Sequence, residues 1–120
     1  MVFATDTEHY EDKMDENLLR LAKCADLLIY DGQYTPKEYI GGDGMPSHKT
    51  WGHSTWEKGV EIAEAAHVKR LIITHHDPVH SDAFLDKLQE KVRSILKSRN
   101  HGRARTRIDW AFEGMSVTLK

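Results

Sequence analysis

Apolar residues along the chain follow two patterns. VFAT from Val2, DLLIYD over residues 26–31 and KRLIITHH over residues 69–76 are short, nearly unbroken apolar runs edged by charge. Runs of that length suit strands, and the second and third suit strands buried on both faces. Between them apolar residues recur three or four apart, the period of one helix face. DENLLRLAKCA carries Leu18, Leu19, Leu21 and Ala22. STWEKGVEIAEAAH carries Val60, Ile62, Ala63 and Ala66, with Trp56 a further candidate. SDAFLDKLQEKVRSILKSR carries Phe84, Leu85, Leu88, Val92, Ile95 and Leu96.

Start and stop signals sharpen these boundaries. TPKEY opens a short helix, with Thr35 as cap, Pro36 in the first helical position and Glu38 closing a capping box. Ser54 and Glu57 predict a second capping box, and Ser81 caps the longest helix. GGDGMPSHKTWGH reads as loop. IDWAFEGMSVTLK ends the chain as one or two strands, with Glu113-Gly114 a turn or bulge. The order is β-α-β-α-α-β-α-β, which predicts a single α/β domain over residues 1–120. Its sheet is mostly parallel, flanked by helices and joined by right-handed crossovers.

The 120 residues suffice for one core. No apolar run approaches the roughly 20 residues that span a bilayer, and MVFATDTEHY lacks the basic flank of a signal peptide. The single cysteine, Cys24, cannot form an internal disulfide and is expected to be a small buried hydrophobe, in keeping with a reducing cytoplasm. A net charge of −2 does not favour nucleic acid through the field of the whole molecule. One basic segment, KSRNHGRARTR, holds Lys97, Arg99, Arg103, Arg105 and Arg107; it is either a solvated helix end or a patch that meets phosphate.

Ligands of parallel sheets bind beyond the carboxyl ends of the strands, and three strands here end in chemistry: at Asp6, Asp31 and His75. A strand-end aspartate can bridge two metal ions about 3.5–4 Å apart, or serve as a helix cap. A strand-end histidine can offer one ring nitrogen to a metal while the other is held by an acceptor, or be structural. His75 opens the dense polar stretch of ITHHDPVHSD, residues 73–82. His53 precedes a capped helix, where it can act as general acid toward a phosphate leaving group. Asp31 is the natural carboxylate to set its tautomer.

ATDTEH, LLIYDGQYT and WGHSTWEKGVEIAEAAHVKRLIITHHDP, in that order, resemble the C-terminal half of the metallo-β-lactamase fold. The likeness is to the phosphodiesterase branch that includes tRNA 3′-end endonucleases and cyclic-nucleotide phosphodiesterases. It implies half of an αββα sandwich, with Asp6 as the carboxylate bridging two metals and His75 as the last metal ligand. His53 of His-Ser-Thr would help protonate the leaving oxygen. Asp31, where the endonucleases carry the Glu of His-Glu-Ala-Thr, would complete an acid dyad with it. The implied cofactor is a pair of divalent ions, zinc first, with manganese and iron suited to the same donors. The implied substrate is a phosphate ester.

The branch's His-x-His-x-Asp-His motif is absent, and Asp6 with His75 alone cannot supply about four ligands per ion. A first strand directly after Met1 also points to an upstream element. The expectation is therefore part of a hydrolase completed by a missing N-terminal half or by a second chain, a homodimer included. The alternatives are a non-catalytic partner module and a receiver-like domain, the latter lacking the acidic pair and strand-end lysine it needs. His76, Asp77 and His80 read as supporting or loop residues, and His9 as a candidate substrate contact.

Overall fold

A computed structural model describes residues 1–100 and 105–120. Its elements are β1 (Val2–Ala4), α1 (Glu16–Ala22), β2 (Leu28–Asp31), α2 (Pro36–Ile40), α3 (Trp56–Ala65), β3 (Arg70–Thr74), α4 (Asp82–Arg99) and β4 (Arg107–Trp110). The order matches the sequence pattern, and the strands form one sheet, β1-β2-β3-β4, parallel throughout.

Alternation along each strand divides the sheet into two faces. Val2, Leu28, Tyr30, Leu71, Ile73, Ile108 and Trp110 form one buried cluster with Ala22 of α1, Val60, Ile62 and Ala63 of α3, and Val92 and Leu96 of α4. Phe3, Ile29 and Ile72 point the other way, and Phe3 is 66% exposed. The third run is buried on both faces as expected, with Ile72 at 4% exposure, whereas Ile29 of β2 is half-buried and the second face opens toward β1. An open groove of about 370 Å³ crosses the second face, lined by Phe3, Ile29, Ile72, Phe112 and Met115 among others.

The outer edge of β4 is closed by side chains of α4. Gln89 Oε1 accepts from the Trp110 N–H at 2.7 Å, and Arg93 Nε donates to the Ile108 carbonyl at 2.8 Å. An edge occupied in this way offers no ready template to a further strand. Asp109, buried beside it, accepts from Arg70, Arg93 and Arg107.

Several local expectations are corrected. Cys24 is exposed: α1 stops at Ala22, and the chain turns through Cys24 at φ 54° while its N–H bonds the Ala66 carbonyl. Leu21 is exposed and Phe84 and Ile95 lie at the rim, so the apolar stripes are narrower than the periodicity implied. Ser54 is not the cap of α3; Thr55 is, accepting from Lys58 N. At the chain end the structure takes the one-strand, turn alternative, with Met115 N closing on the Phe112 carbonyl across Glu113-Gly114. Of the basic segment, Arg107 is tied to Asp109, and Arg103 lies outside the described residues.

Two glycines set the spacing between α3 and the sheet. A Cβ on Gly59 would lie 2.6 Å from Tyr30 Cδ1; one on Gly32 would lie 2.5 Å from Ile73 Cγ2 and 3.1 Å from the Trp56 Cα. Gly32 therefore lets the end of β2 pass under the start of α3. Gly32→Ala is expected to lower stability by about 1–3 kcal/mol through overpacking, read as a lower urea midpoint at unchanged m-value.

Candidate metal centre

The register of the parallel ladder decides which strand ends meet. Asp31 pairs with Thr74, one residue before His75, and Ala4, two residues before Asp6, pairs with Tyr30. Asp6 and His75 both take positive φ, 51° and 61°. That conformation costs an L-residue roughly 1–2 kcal/mol, and Asp and His are among the side chains found there more often. Both turns occur where the chain leaves the sheet.

One carboxyl oxygen of Asp6 and one ring nitrogen each of His53 and His75 lie within 4.8 Å of one another. Asp6 and His75 are exposed and His53 is half-buried. The rings of His53 and His75 stack with centroids 4.3 Å apart. The Asp6 carboxylate and the His75 imidazole are donors that suit zinc, manganese or iron, and they fit a divalent ion, with the His53 nitrogen beside them.

Behind this cluster lies Asp31, which is fully buried. Its Oδ2 accepts from the Asp6 backbone N–H at 2.9 Å and stands 2.8 Å from His53 Nδ1. Its Oδ1 takes longer contacts from Gln33 N, at 3.4 Å, and Ser54 N, at 3.5 Å. The bond to Nδ1 fixes the tautomer of His53 and leaves Nε2 as its available nitrogen.

Sequence reasoning missed three supports of the site. The Ser54 hydroxyl is buried between Tyr30 OH and His9 Nδ1, 2.8 Å from each. Burial pushes the Tyr30 phenol up to about 12, against the smaller effect of the Ser54 bond. Burial, then Lys58, lowers His9 below its ordinary value. Glu8 accepts from Tyr39 OH at 2.6 Å, Thr50 N at 2.7 Å and Gly52 N at 3.0 Å. Partial burial would raise its carboxyl, but those donors outweigh it and hold it below the usual range. Glu38 accepts from His80 and from Thr35 N, both at 2.8 Å. Apart from the Thr35–Glu38 capping box, none of these pairings has a local sequence signal, because the partners lie far apart in the chain. His76 faces the Ala111 carbonyl, and Asp77 closes a turn onto Val79 N; neither joins the cluster.

Residues 1–76 match the family model described as "Beta-lactamase superfamily domain". The chain belongs to the beta-lactamase superfamily. Superfamily relatives include ribonuclease Z of Gemmatimonas aurantiaca, 33% identical over 80% of this chain and 28% of that protein. Ribonuclease Z of Brevibacillus brevis is 36% identical over 68% of this chain and 22% of its own length. A solved metallo-beta-lactamase fold protein of Bacillus subtilis, YhfI, superposes with a TM-score of 0.61 at 18% identity, covering 94% of this chain and 36% of that one. The fold is therefore part of the metallo-β-lactamase sandwich, an α/β layer pair with a parallel sheet. The chain spans about a quarter of the length of the curated relatives it matches.

Asp31→Asn replaces one carboxylate oxygen by an NH2 that faces N–H donors. It is expected to cost about 3 kcal/mol, measured by urea unfolding at pH 7.

Proposed function

We propose that this chain supplies part of the active site of a metal-dependent phosphodiester hydrolase. The observation that carries the reading is the meeting of Asp6, His53 and His75 in front of a buried carboxylate that holds the far nitrogen of His53. Ribonuclease Z relatives, which act on RNA phosphodiesters, support the same class. Among the described residues no helix is long and apolar enough to cross a membrane.

In this reading Asp6 and His75 hold divalent metal. Bound divalent ions would supply Lewis acidity at the phosphoryl oxygens and a water activated as nucleophile. His53 protonates the departing oxygen from Nε2, and Asp31 accepts Nδ1–H and stabilises the imidazolium. Asp31 itself stays behind the ring and touches no substrate. The remaining ligands come from outside this chain, from an N-terminal half or another subunit. The open face at Phe3 and Phe112 is the surface such a half would cover.

Two measurements check this. In the complete protein, native mass spectrometry is expected to show bound zinc that is lost on Asp6→Ala and on His75→Ala. Zinc held equally well by Asp6→Ala or by His75→Ala would overturn the ligand assignment. In the complete protein, His53→Ala is expected to lower kcat on an aryl phosphodiester by about 10²–10⁴-fold with zinc content retained. Full activity in that variant would remove His53 from the chemistry.

A further inference from the structure

Trp51 is separated from His53 by a single residue, so their Cα atoms lie within about 7 Å. Its side chain is 59% exposed. An isolated exposed aromatic needs no explanation, but this one is held in place from several sides. The N–H groups of both its neighbours, Thr50 and Gly52, donate to the two oxygens of Glu8. Its own N–H donates to the His48 carbonyl. Its ring meets the ring of His48 edge-on at 4.7 Å, and His48 stacks at 4.5 Å on Tyr34, which is buried. His48 is fixed in turn by Nδ1 on the Glu38 carbonyl at 2.7 Å. Thr50, at φ 68°, is a β-branched residue in a region such residues avoid.

The aromatic series continues inward. Tyr34 meets His53 edge-on at 6.5 Å, and His53 stacks on His75. A continuous set of rings thus runs from the candidate metal ligands to an exposed indole on the rim. The loop is shaped to present that indole, and the two residues on either side of it are spent on holding its backbone.

We propose that Trp51 is a stacking platform for a nucleobase attached to the phosphate ester, which makes it a specificity-determining residue of this site. The proposal rests on the phosphodiester reading for the position of the phosphate. A base is the flat aromatic group that lies within one nucleotide's reach of such a phosphate, and stacking on an indole accepts any base. The net charge of −2 leaves little general attraction for a phosphate backbone, so recognition falls on the ring.

The test is calorimetric binding to the complete, zinc-loaded protein. Adenosine 5′-monophosphate is compared with ribose 5-phosphate, which carries the same phosphate and no base. The wild type is expected to prefer the nucleotide by about 5- to 100-fold. Trp51→Ala should remove that preference and leave ribose 5-phosphate binding unchanged; Trp51→Phe should keep most of it. A single-stranded triadenylate identifies the source of the base: tighter binding than the mononucleotide extends the platform along a strand, equal binding confines it to one nucleotide, and both retain it. Equal binding of nucleotide and sugar phosphate by the wild type, a preference that survives Trp51→Ala, or no binding of either ligand would overturn the proposal. Because the readout is a difference in binding, it stands apart from the phosphodiester reading, which fails separately if His53→Ala leaves hydrolysis intact.

Discussion

The carboxylate of Asp31 is the group on which the site depends. It sits at the end of β2 with no exposure, and its oxygens take donors from the turn after β1, from its own turn and from the loop before α3. A buried charge is tolerated only when it is paired and hydrogen-bonded, so the cost of desolvating Asp31 fixes where those segments can go. Gly32 makes the arrangement sterically feasible, because any side chain there would meet Ile73. The orientation of His53 is a consequence of these constraints.

A second carboxylate performs a similar task at the rim. Glu8 lies two residues beyond Asp6 and gathers Tyr39 of α2 and the backbone of residues 50 and 52. The loop between α2 and α3 is long and rich in glycine, yet its last part is bound to the turn that carries Asp6. Ser54 adds a third connection, since its hydroxyl lies between Tyr30 of β2 and His9. The turn at Asp6 is thereby held by groups that do not themselves face the cluster.

The two faces of the sheet have different fates. One is closed by α1, α3 and α4 in a continuous core. The other keeps Phe3 and Phe112 largely exposed around an apolar groove. The superfamily sandwich packs two α/β layer pairs sheet to sheet, and the open face fits one such layer pair.

The order and type of the elements were legible in the sequence, because strand runs and helical stripes differ in period and the caps at Thr35 and Ser81 act within four residues. So were the residues worth attention at the strand ends: parallel strands with helical crossovers place their carboxyl ends together whatever the details. Ser54 shows the limit. Its sequence context is that of a helix cap, but a buried hydroxyl between Tyr30 and His9 is bonded there instead, and Thr55 takes the cap. Cys24 failed for a related reason, since the end of α1 is set by a bond to Ala66 and not by the apolar stripe. Ladder register, the pairing of Asp31 with His53 and the anchoring of Glu8 all join residues more than twenty positions apart. Local sequence determined the elements because their energies are local; tertiary structure decided the site because burial and long-range hydrogen bonding exist only once the chain has folded.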